Sequence, residues 1–218
     1  KNLFRDSMQG DKYILDILQK MGATIIRGED YVEIVSDGNL KAIDVNLSNA
    51  PDLLITVAVL AAMAEGTTNI TGVAHARVKE TDRIDTTCRE LEKLGCRLEE
   101  HEDGMSITGG VTSGVVDSHG DHRLAMAFSL IGLKHDIKIT NGEVFDVSFP
   151  NFIESMAELG FELDWLKAKG RRHIRITNKI DINNKSNWYD AICWQLETAH
   201  KFKEVFNHKI VEFYQKLF

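Results

Sequence analysis

The chain has 218 residues, 43% of them hydrophobic and 27% charged, with a formal net charge of −7. These proportions suit an ordinary globular chain of one large domain or two small ones. No run approaches the roughly 18 apolar residues that a membrane-spanning helix needs, and the acidic balance argues against nonspecific nucleic-acid binding, which needs a basic surface. Cys88, Cys96 and Cys193 are odd in number and lack a CxxC spacing. They point away from a disulfide framework or a zinc site and towards a reducing, cytoplasmic setting. The first residues show no signal-peptide pattern. A chain that opens on Lys1 rather than Met is expected to be a piece of something longer.

In chain order, Ile14, Ile17, Leu18 and Met21 recur at helical spacing, and Gly22 follows as a left-handed helix cap. Residues 24–35 then read as two short strands. Residues 52–65 predict a buried helix rich in Leu and Ala, with Pro51 at its start, where a missing N–H does no harm. A strand follows at 67–71. A further helix ends in Leu91 and Leu94, is closed by Gly95, and leads into two strands ending at Thr108. The same order then returns: a strand near Val115, a helix over 121–133, a strand at 136–140, a helix around Met156 closed by Gly160, and strands ending at Thr177.

This is an internal repeat. Strand-helix-strand-helix-strand-strand copies cover residues 44–108 and 115–177, while residues 11–35 contain only the closing helix and hairpin of another copy. The predicted class is α/β (α+β), built of repeated βαβαββ units, with one domain over 1–177. Residues 178–218 differ. Trp188, Ile192, Leu196, Ala199, Phe202, Phe206, Ile210, Phe213 and Leu217 form one stripe at helical spacing, and Ser186 or Asn187 can cap it. A long C-terminal helix that packs on the repeat region or on another chain is expected there. Its role is not legible.

Three polar clusters fall where a strand hands over to a helix. They are Ser48 to Asp52, Arg77 to Arg83, and Asp121-His122-Arg123. Helix starts present free N–H groups and partial positive charge, which suits anions. Arginines beside them can hold a carboxylate or phosphate through paired hydrogen bonds. The Lys, Glu and Asp residues interleaved with them can move protons where burial tunes their pKa values. Taken singly, each cluster is equally well read as a helix cap or a solvated charged turn. Three of them in phase with a repeat are not. His119 and His122 lack a third metal ligand at suitable spacing, so no metal site is expected.

With these motifs in view, the chain resembles the C-terminal portion of the 5-enolpyruvylshikimate-3-phosphate (EPSP) synthase family. The resemblance rests on Arg77-Val-Lys-Glu-Thr-Asp-Arg83, on Asp121-His-Arg-Leu-Ala-Met-Ala127, on Pro51-Asp52, and on Ser148-Phe-Pro-Asn-Phe152. It covers about residues 5–163 and stops before the tail. It implies the enolpyruvyl transferase fold, an inside-out α/β barrel domain of three βαβαββ units around buried helices, with substrates in a cleft between two such domains. It implies transfer of the enolpyruvyl group of phosphoenolpyruvate to the 5-hydroxyl of shikimate 3-phosphate, with release of phosphate, in chorismate and aromatic amino acid biosynthesis. No metal or organic cofactor is implied, and no nucleic-acid or membrane partner.

Carried over by motif, Asp52 looks like the base for the 5-hydroxyl and Glu80 like the acid for the methylene carbon of phosphoenolpyruvate. Lys79 looks like a shikimate contact. Arg83 and Arg123 look like the phosphoenolpyruvate clamp, with His122 and Asp121 behind them as orienting groups. Two departures stand out. Val147 occupies the place of a lysine that helps bind phosphoenolpyruvate in many members, and His75 replaces an asparagine that touches shikimate. The family's contacts from its N-terminal half have no counterpart, so the missing half is expected as a partner and the chain alone is expected to be inactive.

Competing readings remain open. UDP-N-acetylglucosamine enolpyruvyl transferase shares the chemistry but lacks the Lys-Glu-Thr-Asp-Arg run. The RNA 3′-phosphate cyclases share related architecture, which the acidic repeat region disfavours. A non-catalytic fragment or split subunit would fit the change of character after Asn178, and so would a tail that begins another enzyme of a fused protein.

Overall fold

The structure is a computed structural model and describes residues 6–158, 162–168 and 171–177. A helix, α1 (Ile14–Lys20), leads into the hairpin of β1 (Thr24–Arg27) and β2 (Val32–Val35). Next come β3 (Asp44–Asn46), α2 (Leu54–Ala62), β4 (Thr67–Thr71), α3 (Arg83–Lys93), β5 (Arg97–His101) and β6 (Gly104–Thr108). The order repeats with β7 (Gly114–Asp117), α4 (His122–Ser129), β8 (Ile137–Thr140), α5 (Phe152–Glu158), β9 (Glu162–Ala168) and β10 (Arg171–Thr177).

The two four-stranded sheets have equivalent orders, β3-β4-β6-β5 and β7-β8-β10-β9. In each, the first pair is parallel and the others are antiparallel. Among the described residues the sheets stay separate, and no barrel closes. The expected helix over 178–218, the domain boundary before it, and Gly160 lie outside the described residues.

The glycine caps form as the sequence predicts. Gly22 and Gly95 take φ of 111° and 87°, a conformation that costs a residue with a Cβ free energy. At each, two crossed hydrogen bonds close the helix: Ala23 N–H to Leu18 O with Gly22 N–H to Gln19 O, and Cys96 N–H to Leu91 O with Gly95 N–H to Glu92 O.

Helix α2 is apolar on nearly every side, which is the pattern of a helix enclosed by protein. Leu54, Ile55, Val57, Ala58, Val59, Ala61 and Ala62 are all buried. The helix packs on α3, α4, β4 and β6. Ile84, Cys88 and Leu91 of α3 and Leu124 and Phe128 of α4 complete one continuous core, which also takes in Ile17 and Met21. Truncating such a side chain costs about 2–5 kcal/mol. Cys88 and Cys96 belong to this core, and burial pushes their thiols up to about 12 and about 11.

Two differences from the sequence reading are local. The stretch 52–65 divides into a 3-10 turn, Pro51–Leu53, and the α-helix proper. The last hairpin extends through polar residues: Arg172 pairs with Lys167 and Arg171 with Ala168 in the strand register, so cross-strand pairing carries both strands through the Lys/Arg stretch.

The parallel strands end in equivalent turns, and these turns aim the polar clusters. At the end of β3 the Asn46 side chain accepts the Ser48 N–H at 3.0 Å. At the end of β7 Asp117 accepts the His119 N–H at 2.7 Å. Ala50 N–H then bonds Leu47 O, as Asp121 N–H bonds Ser118 O. Each turn bends the chain from strand into helix through a side chain that mimics a backbone acceptor. Burial works to raise the Asp117 carboxyl, but hydrogen bonds from Thr140, the His119 N–H and Asn141 outweigh it and hold it below its ordinary value of 3.8. A depressed carboxyl contributes stability that is full above the unfolded value and is lost as pH falls through the folded one. Thermal midpoints measured from about pH 5 to about pH 2 should therefore fall less steeply for Asp117→Asn than for the unaltered chain.

Candidate active site

Three helix starts converge. Asp52 stands on the turn before α2, Arg83 opens α3, and Asp121 caps α4. Asp82 caps α3, accepting the Ile84 and Asp85 N–H groups at 3.1 Å each. Asp121 caps α4 by accepting the Arg123 N–H at 2.9 Å. Capping acids of this kind satisfy donors that the helix itself leaves free.

Arg83 is the hub of the convergence. Its side chain is 3% exposed, and its Nε–H donates to Asp121 Oδ2 at 2.7 Å, a carboxylate with no exposure at all. Its Nη2 donates to Glu80 Oε2 at 2.7 Å and to Asp121 Oδ1 at 3.4 Å, and its Nη1 to Asp52 Oδ1 at 3.2 Å. Asp52 is shared. Arg123 Nη2 reaches Asp52 Oδ2 at 3.2 Å, and Lys79 Nζ lies 3.9 Å from Asp52 Oδ1. Thr81 donates to Asp121 at 3.5 Å.

Six residues thus form one network in which three cations (Lys79, Arg83, Arg123) face three carboxylates (Asp52, Glu80, Asp121). Its floor is buried and its outer face is open: Glu80, Lys79, Asp52 and Arg123 keep 47%, 38%, 37% and 34% of their side-chain surface. A buried guanidinium requires anionic partners. The open face leaves Asp52, Glu80 and Arg123 accessible to a solute. Paired hydrogen bonds from arginines suit carboxylate and phosphate groups.

All of the network's residues were candidates on sequence. The other two candidates stand apart. His75 is exposed on the turn Ala74–Val78, and His122 is half-buried at the first position of α4. Among the described residues neither hydrogen-bonds to the six. Val147 ends the turn Gly142–Val147.

The sequence reading missed how the Arg77 to Arg83 segment is anchored. Arg77 donates to the His101 and Glu102 carbonyls at 2.7 and 3.0 Å, to Asp82 Oδ2 at 2.9 Å, and pairs with Glu100 at 2.8 Å. Burial works against its charge, but the hydrogen bonds to Glu100 and Asp82 outweigh it and raise its pKa. One guanidinium therefore ties the capping acid of α3 to the β5–β6 hairpin.

The sequence model of EPSP synthase (3-phosphoshikimate 1-carboxyvinyltransferase) matches residues 1–156. The chain belongs to the EPSP synthase family. A 3-phosphoshikimate 1-carboxyvinyltransferase of Methanobrevibacter smithii is 78% identical over 163 residues, which span 75% of this chain and 37% of the relative. The corresponding protein of Methanothermobacter thermautotrophicus is 58% identical over 164 residues, spanning 75% of this chain and 39% of the relative. The solved EPSP synthase of Acinetobacter baumannii superposes with a TM-score of 0.58 at 34% identity, over 65% of this chain and 37% of that one. The chain thus spans less than two fifths of the length of these EPSP synthase relatives, and the six-residue network lies inside the matched region.

Arg77→Met should lower stability by about 1–3 kcal/mol through loss of charge-assisted hydrogen bonds. Urea denaturation measures this, and hydrogen exchange should show the Ile84 and Asp85 amides opening faster while α4 stays protected.

Proposed function

We infer that this chain provides the C-terminal part of the active site of a 3-phosphoshikimate 1-carboxyvinyltransferase. The observation that carries the reading is the convergence of Asp52, Lys79, Glu80, Arg83 and Arg123 in a member of this family. The two similar sheets with their helices are successive βαβαββ units in this reading. The domain over 1–177 closes into the family's inside-out barrel with the remainder of the enzyme, which carries the other substrate contacts. A cytoplasmic setting fits the free cysteines.

In the first half-reaction Glu80 gives a proton to the methylene carbon of phosphoenolpyruvate, which makes the neighbouring carbon electrophilic. The 5-hydroxyl oxygen of shikimate 3-phosphate bonds to that carbon, and Asp52 takes the hydroxyl proton. In the second half-reaction the methyl carbon returns a proton to Glu80, the bond to the phosphate oxygen breaks, and phosphate leaves with the proton that Asp52 took. Asp52 and Glu80 both accept hydrogen bonds from Arg83, which places fixed positive charge beside the two groups that exchange protons with the substrates. Arg83 and Arg123 hold the anionic groups of phosphoenolpyruvate, Lys79 and His75 contact the shikimate moiety, and Asp121 fixes Arg83. His122 orients the start of α4. No metal or organic cofactor takes part.

The test is phosphate release from phosphoenolpyruvate and shikimate 3-phosphate, with this chain supplemented by the N-terminal portion of the Methanobrevibacter smithii relative. Activity should appear on mixing and fall at least about 100-fold in Asp52→Asn and in Glu80→Gln, the usual range for loss of a general acid or base. Turnover by this chain alone would contradict the half-site reading. A folded complex that releases no phosphate would favour a non-catalytic fragment, with Val147 the first position to restore to lysine.

A further inference from the structure

We propose that Glu90 is a positioning residue for this site, acting through the loop that carries Asp121; the proposal rests on the function just inferred. Glu90 lies seven residues after Arg83 in α3, so the two share a helix face. Its carboxylate has no exposed surface. It accepts three donors: the Asp117 N–H at 3.0 Å, the His119 ring Nε2–H at 2.6 Å and Lys93 Nζ at 2.6 Å. Two of these come from the segment that leads directly into Asp121. Helix and loop therefore exchange carboxylates. Asp121 of the loop holds Arg83 of the helix, and Glu90 of the helix holds the backbone and ring of the loop.

Two further observations separate this contact from ordinary packing. Counted back from the capping glycine, Glu90 in α3 occupies the place of Ile17 in α1, which is buried and apolar. The same place is a hydrocarbon in α1 and Ser155 in α5, so among the three helices only α3 puts a carboxylate there, and a buried carboxylate with its partners gains little stability over a hydrocarbon. His119 also takes φ of 51°, a left-handed conformation unfavourable for a residue with a Cβ, at the point where its ring reaches Glu90. Strain held by a specific contact marks a place where geometry matters more than stability. What it sets is the position of Asp121, and through Asp121 the direction of the Arg83 guanidinium.

The direct readout is the Nε–H resonance of Arg83 in the nitrogen-15-labelled 218-residue chain, identified by its loss in Arg83→Lys. The contact with Asp121 should leave it exchange-protected and displaced from the free-arginine position. Glu90→Gln and His119→Asn should each return it towards that position. Lys93→Met removes only the exposed partner and should leave it in place. In the complemented enzyme, Glu90→Gln should raise KM for phosphoenolpyruvate by up to about 100-fold, the scale of a misplacement of about 1 Å, and leave KM for shikimate 3-phosphate unchanged. A folded Glu90→Gln protein with an unmoved Arg83 resonance overturns the proposal. If that variant fails to fold, an unmoved resonance in His119→Asn does so. An unaltered complemented enzyme that releases no phosphate refutes the transfer reading alone, and the Arg83 resonance still decides the role of Glu90.

Discussion

A guanidinium buried to 3% exposure has to be compensated, and the arrangement around Arg83 follows from that requirement. Removing a charge from water costs several kcal/mol even after relaxation. Arg83 recovers this from three carboxylates that arrive on three different segments: Glu80 from its own turn, Asp52 from the start of α2, and Asp121 from the start of α4. Bringing those segments to one point obliges α2, α3 and α4 to begin side by side. The same contacts hold Asp52 and Glu80 next to positive charge on a face open to solvent. A structural demand and a chemical capability thus share one set of bonds.

Two equivalent strand-to-helix turns explain how the segments get there. Each parallel pair ends in a turn closed by an amide or carboxylate side chain, Asn46 in one and Asp117 in the other, and each turn delivers a helix start. At the second turn one side chain has two duties. Asp121 caps α4 through Oδ1 and binds Arg83 through Oδ2. Reading Asp121 as a helix cap or as a site residue is therefore no contradiction.

Much of this was legible in the sequence, because the responsible signals are local. Gly22 and Gly95 announced helix ends because their conformation disfavours other residues, and the apolar run behind Pro51 announced an enclosed helix. The polar clusters stood out because charge accumulates at helix starts. What was not legible depends on contacts across long separations. Arg77 finds its partners in the carbonyls of His101 and Glu102, and backbone acceptors leave no mark in a sequence. Glu90 reads as one more charge on an amphipathic helix until the loop at 117–119 covers it. The extent of β9 and β10 was hidden because cross-strand pairing, not local pattern, carries them through polar residues.

The central claim is that the Arg83–Asp121 pair organises the site by mutual compensation, and a double-mutant cycle addresses it most directly. Urea denaturation of Arg83→Met, Asp121→Leu and the double variant supplies the free energies. Each single change strands a buried charge and should cost about 3–5 kcal/mol, whereas the double change should cost far less than the sum of the two. Single losses that simply add in the double variant would contradict the account, because they would show two independent contributions rather than one shared constraint.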